Sequence, residues 1–151
     1  MTDEILANQT NLTSRFNTGS IKHAVTAGVE VTAESSVNFA RTGPTAPTAD
    51  LYNPNPLDAY PGPIVRSGAS TDGSADSAAA YAFDTAEIGN HLELTGGLRW
   101  DRFAVDYTAV AVGGVATTFD RVDTMTSGRA GVIVKPRPEG SIYAGFGTSF
   151  N

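Results

Sequence analysis

Cysteine is absent from these 151 residues, which removes a disulfide framework and any thiolate metal site. Helix signals are nearly missing, since no window sustains an apolar period of about 3.6 residues. No apolar run reaches the ~18 residues that a transmembrane helix needs. Charge is sparse, at 17% of residues, and acidic in balance at −6. Basic clusters of the kind that hold a phosphate backbone do not occur, so nucleic acid is excluded as a partner. No Gly-x-Ser-x-Gly elbow appears, and His23 and His91 are not spaced with Asp or Glu as a metal site. The chain therefore reads as a non-enzyme without a metal or cofactor. Its first residues, Met1–Ile5, have neither a basic start nor a long apolar stretch. The expectation is a piece of a longer protein whose secretion signal lies upstream.

What is present is a rhythm. Short and long connections alternate between two-faced strands. Asn17–Ser20, Ala86–Asn90 and Pro136–Gly140 read as short turns. Phe39–Asp76 and Tyr107–Thr124 read as long loops, the first rich in Pro, Gly and Ser. Gly19, Gly89 and the neighbouring Asn residues suit turn positions of positive φ. Pro136 and Pro138 suit a strand end where a backbone donor is not needed. Tight turns at one end and wide loops at the other are the habit of transmembrane β-barrels. A mean hydropathy of −0.14 fits, because barrel strands leave no continuous apolar run. The length allows one domain with a core.

Successive side chains on a strand point to opposite faces. Ile21–Ala33 places Ile21, His23, Val25, Ala27, Val29, Val31 and Ala33 on one face, with polar or small residues on the other. Leu92–Arg102 sets Leu92, Leu94, Gly96, Leu98 and Trp100 against Glu93, Thr95, Gly97, Arg99 and Asp101. Ser141–Asn151 groups Ile142, Ala144, Phe146, Thr148 and Phe150, and Thr126–Lys135 repeats the pattern more weakly because Ile133 interrupts its polar face. Gln9–Phe16 and Ser77–Thr85 complete six strands, the faces of the last being unassigned because Ala78–Ala80 carry no signal. The fold class is all-β: an antiparallel meander of about six strands, as in a segment of a transmembrane barrel. A soluble antiparallel domain with one apolar face would alternate in the same way.

Six stretches, in order, carry a resemblance. They are Ala7–Phe16, Lys22–Glu30, Ala79–Thr85, Leu92–Asp101, Gly128–Pro136 and Gly140–Asn151. Together they resemble the middle of the barrel of TonB-dependent siderophore receptors, in particular the ferric-catecholate branch. The resemblance implies a slice of a barrel of about 22 strands, plugged by an N-terminal domain and placed in the outer membrane. It implies outer-membrane lipid, a ferric siderophore, the plug and remaining strands as partners, and the TonB complex acting through an N-terminal part. Residues 1–151 would then be a partial barrel domain without plug or signal peptide. The ferric siderophore would be a transported ligand rather than a cofactor.

Ferric siderophores are anionic and often aromatic. Arg supplies charge and planar donors, and Tyr supplies a face to stack on. Arg41, Tyr52, Tyr60 and Arg66 are accordingly the ligand-contact candidates, with loop ordering or plain solvation as their other reading. Tyr107 and Phe119, bordering the second loop, are expected to stack similarly. Glu30, Arg99 and Asp101 are expected to face the lumen, either toward the plug or as a wall ion pair. His23 is read as an interfacial histidine and His91 as a turn residue. The competing function is a secreted or cell-surface β-domain that binds glycan or protein through its loops.

Overall fold

A computed structural model describes every residue except Pro47, Pro138, Phe150 and Asn151. The strands are β1 (Thr2–Thr18), β2 (Ile21–Thr42), β3 (Val65–Ile88), β4 (Leu92–Val110), β5 (Ala116–Arg137) and β6 (Gly140–Gly147). They form one six-stranded sheet in the order β1-β2-β3-β4-β5-β6, every neighbouring pair antiparallel. The meander expected from the turns is therefore present. β1 and β6 are open edges.

The strands are longer than the residue pattern suggests. β2 and β3 have 22 and 24 residues, against the about 9–11 that cross a bilayer at a tilt. They run well into Phe39–Asp76, leaving residues 43–64 as the connection, and β4 and β5 reduce Tyr107–Thr124 to residues 111–115. β1 likewise begins at Thr2 rather than Gln9. Over residues 70–76 of β3 and 107–110 of β4 the reason is a partner strand on both sides, while β1 and the loop end of β5 are held by one. Two ladders of backbone hydrogen bonds order even Ser- and Asp-rich sequence, because the ladder does not read side chains.

Glycine makes the ends. Gly19 and Gly89 hold φ of 63° and 60° in the short turns. No non-glycine residue among those described has positive φ, so Asn17 and Asn90 do not share that role. Pro136 sits where the β5–β6 register breaks, between Val134 and Arg137. Pro138 and Phe150 lie outside the described residues.

The core expected from chain length is not there. The sheet is a single layer, and Ala79, at 7% exposure, is the buried hydrophobic residue among those described. Register explains how the faces divide. Val25, Ala27, Val29 and Val31 oppose Asp84, Ala82, Ala80 and Ala78 of β3, which oppose Gly96, Leu98, Trp100 and Arg102 of β4. Leu94, Leu98, Trp100, Val134, Ile142 and Phe146 on this face are all more than 40% exposed. This face is thus an uncovered, largely apolar band across the short-turn half of the sheet, giving way to charged residues from Arg102 toward the long loops. A surface of that size fits a lipid or protein environment rather than water. The faces of β3 left open by the sequence are settled here: Ala78, Ala80 and Ala82 join the apolar side, and Ala79, Tyr81 and Phe83 the polar side.

Candidate functional site: the polar face and the loop rim

The polar face carries a polar network across four strands, β1 to β4, with Arg99 at its centre. Ala79 of β3 stands between Glu30 of β2 and Asp101 of β4 in a single register row. Its methyl group leaves a gap that longer side chains bridge. Arg99 Nη2 donates to Glu30 Oε2 at 2.6 Å, and its Nε donates to the Asp101 oxygens at 2.9 and 3.1 Å. Gln9 Nε2 donates to Glu30 Oε1 at 2.8 Å and to the Tyr81 hydroxyl at 3.2 Å. The Arg99 guanidinium also stands 5.6 Å over the Tyr81 ring. The three wall residues singled out in the sequence are therefore joined, with Arg99 held by two carboxylates. Nothing in their spacing shows that Glu30 and Arg99 would meet, because that depends on the β2–β3–β4 register.

This network adds little stability for its size. The Arg99 and Glu30 side chains remain 32% and 29% exposed. Solvent-accessible ion pairs contribute about 0–1 kcal/mol. Arg99→Gln in the full-length protein is therefore expected to lower its unfolding free energy by about 1 kcal/mol or less. Urea titrations in detergent at low and high salt check this, and the difference should shrink as salt rises.

Further along the same face, Arg129 lies 4.3 Å over the Phe83 ring. Tyr107 and Phe119, cross-strand partners, place their rings 6.4 Å apart, as an aromatic pair rather than as separate loop residues. Near the loop end, Arg121 donates two hydrogen bonds to Asp123, at 2.6 and 2.9 Å. Those bonds hold the Asp123 carboxyl below the usual carboxylate range and raise the Arg121 guanidinium.

On the apolar face, near the first short turn, His23 stacks on Phe16 with centroids 5.1 Å apart. Its Nδ1 is 2.7 Å from Asp84 Oδ2. Asp84 Oδ1 is buried without a partner. The interfacial reading of His23 does not foresee this partner, 61 residues away in sequence. No group of three or more potential ligands for a metal ion occurs among the described residues. His91 lies in the β3–β4 turn, with Nδ1 at 2.9 Å from the Lys135 carbonyl.

The loop rim carries the ligand candidates. Arg41 and Arg66 are directly opposed on β2 and β3, next to a register shift after Phe39. Gly68, at φ 90°, supplies the conformation that this irregularity needs. Arg66 lies 4.0 Å over the Phe39 ring. Neither arginine has an ion-pair partner among the described residues. In register they follow Phe39 and Val37, on the side of the sheet that is apolar lower down. Tyr60 donates its hydroxyl hydrogen to the Pro44 carbonyl and closes the loop stem. Tyr52 is 94% exposed beside a turn in which Asp50 Oδ1 accepts from the Tyr52 and Asn53 amides. The rim thus pairs the two arginines, whereas Tyr60 has a structural task and Tyr52 faces solvent.

Residues 2–151 match the family described as TonB dependent receptor-like, beta-barrel. The chain is 37% identical over 171 aligned residues to the catecholate siderophore receptor Fiu of Escherichia coli K12, covering 99% of this chain and 22% of that protein. It is 29% identical to the probable TonB-dependent receptor BfrD of Bordetella pertussis, over 97% of this chain and 22% of that one. Among solved structures, the open form of the ferric-catecholate import receptor Fiu from E. coli K12 superposes with a TM-score of 0.78 at 33% identity. That match covers 96% of this chain and 25% of the other. The siderophore receptor PiuA from Acinetobacter baumannii shares the fold at TM-score 0.72 and 23% identity, over 96% and 23% of the two chains. The chain spans about a quarter of the relatives it matches.

Proposed function

This chain belongs to the TonB-dependent receptor β-barrel family, and from that premise we propose that it forms part of the wall and rim of an outer-membrane receptor importing ferric catecholates. The observation that carries the proposal is the division of the sheet. One face is apolar and uncovered from Ile21 to Ala33 on β2 and from Leu92 to Trp100 on β4, and the other carries the Gln9–Glu30–Arg99–Asp101 network. An apolar face outward and a polar face inward is what a barrel wall in lipid needs. The open edges on β1 and β6 fit the same reading, since an unpaired strand edge in lipid is satisfied only by closure with further strands. A soluble surface domain would have to bury the apolar face, and no described residue of this chain covers it. The polar network then faces the lumen, where a plug domain would pack, and the TonB complex would act on the receptor through its N-terminal part.

The ligand-contact role goes to the rim. Like charges placed directly opposite on neighbouring strands repel. Arg41 and Arg66 are such a pair, above the apolar band on the outward side of the rim, and an anionic ferric catecholate arriving from the loop side would relieve the repulsion while stacking on the exposed Tyr52. The test is uptake of a radio-iron-labelled catecholate by cells carrying the full-length receptor. Arg41→Ala/Arg66→Ala is expected to raise the half-saturating concentration about tenfold, the equivalent of about 1.4 kcal/mol, with surface abundance unchanged. Unchanged uptake would remove both arginines from the ligand path.

A further inference from the structure

The outward face has one cation in its membrane-spanning part. Arg15, Lys22, Arg99, Arg129 and Lys135 all lie on the polar face, and Lys22, Arg99 and Lys135 have carboxylate partners there. Arg102 is on the apolar face, exposed, and without an ion-pair partner among the described residues. Its place is the upper limit of the apolar band. Below it on β4 are Trp100, Leu98, Leu94 and Leu92, and beyond it on the same face come Asp106 of β4, Asp120 of β5, and Asp76 and Asp72 of β3. About ten residues separate Leu92 from Arg102, and at a rise of about 3.3 Å and a barrel tilt they climb about 25 Å, the height of a barrel's apolar band.

The cross-strand neighbours are small or hydroxyl-bearing. Ala78 and Ala80 of β3 flank Arg102 and Trp100 on one side, and Thr124 and Thr126 of β5 flank them on the other. Small side chains on one side leave the guanidinium room, and two hydroxyls on the other add donors. Trp100, 42% exposed, suits a lipid–water boundary, where its ring packs on acyl chain and its N–H meets polar groups. Arginine is a planar, permanently charged donor for phosphate.

We propose that Arg102, with Trp100, Thr124 and Thr126, binds the phosphate of an anionic lipid head group in the leaflet on the long-loop side. The proposal rests on the wall-segment reading above. Its occupant follows from charge and height. Asp76, Asp106, Asp120 and Asp72 stand farther toward the loops and make no ion pair with Arg102, so the one cation at the rim of the apolar band is left to meet lipid phosphate.

The test uses the full-length receptor in neutral detergent, with heat-modifiable migration as proof of a closed barrel in every variant. That control fails if the wall reading is wrong and is indifferent to lipid binding. Dioleoyl phosphatidic acid is titrated and bound lipids are counted by native mass spectrometry, with dioleoylglycerol as the phosphate-free arm and inorganic phosphate as the lipid-free arm. Wild type is expected to retain one more phosphatidic acid than Arg102→Gln, to hold it at least fivefold more tightly than dioleoylglycerol, and to release none of it to millimolar phosphate. Arg102→Lys should keep most of the binding, and Trp100→Ala should weaken it. Equal counts for wild type and Arg102→Gln, equal binding of the two lipids, or full competition by inorganic phosphate would each overturn the proposal.

Discussion

Arginine at Val29 is expected to destabilise the full-length receptor by about 1–2 kcal/mol, short of the about 2–4 kcal/mol of a cation at the bilayer midplane, because Val29 shares a register row with Trp100 toward the upper end of the apolar band. Val29 opposes Thr10 and Ala80, lies between Ala27 and Val31 in the apolar stripe, and is 53% exposed. The substituted side chain would have to leave the apolar stripe to reach the head groups and would find no acidic partner in the neighbouring positions. Thr32→Arg is the control. Thr32 opposes Ala7 and Ser77 on the polar face, one residue past Val31 in register, and would put the same charge into a wet lumen. Its cost is expected within about 0.5 kcal/mol, as for an ordinary surface change. Denaturant unfolding of both variants from lipid vesicles makes the comparison. A greater loss at Thr32 than at Val29 would mean that the faces are reversed.

The second large effect is expected at Gly97. Phe83 of β3 lies flat across this residue, its cross-strand partner. A Cβ at Gly97 would collide with the Phe83 ring and the Ala82 carbonyl, and would stand 2.7 Å from the Phe83 Cα. Backbone atoms cannot move aside as a flexible side chain would, so Gly97→Ala should cost about 1–3 kcal/mol by overpacking. Gly28 has the same relation to Tyr81, whose ring and hydroxyl would lie 2.6 Å from a methyl group added there. The adjacent Gly96 is the contrast. It points to the apolar face, where a Cβ would find its nearest neighbour, the Arg129 carbonyl, at 3.8 Å. There the loss of backbone entropy in the unfolded chain dominates, and Gly96→Ala should stabilise by about 0.4–1 kcal/mol. Thermal or denaturant unfolding of the two variants decides the matter. Neighbouring glycines with opposite signs would identify the aromatic–glycine contact as the cause, and equal effects at both would dismiss it.

These pairs also explain where sequence reading ran out. Tyr81 and Phe83 are large and aromatic, while Ala78, Ala80 and Ala82 are small, so hydrophobicity ranks the faces of β3 the wrong way or not at all. The aromatics belong to the polar face because Gly28 and Gly97 on the flanking strands leave ring-sized gaps beside them. Seeing that requires both registers at once. The His23–Asp84 and Glu30–Arg99 pairs were equally illegible, since each joins residues more than 60 positions apart.

By itself, the sequence determined that the chain is all-β, that six strands run antiparallel in chain order, and which faces of β2, β4 and β6 are apolar. Alternation has a period of two whatever the partner, short turns make three hairpins of neighbouring antiparallel strands, and the regular exchange of tight and wide connections joins those hairpins into a meander. Only the tertiary structure decided how far the strands extend and what meets across them. Extension of β3 to 24 residues comes from backbone ladders on both sides, which hold Ser- and Asp-rich sequence without regard to its side chains. Contact across strands depends on register, and a slip of one residue sends every side chain to the opposite face. The arginine pair at the rim, the lone Arg102 above the apolar band and the missing core of this single layer all follow from that register.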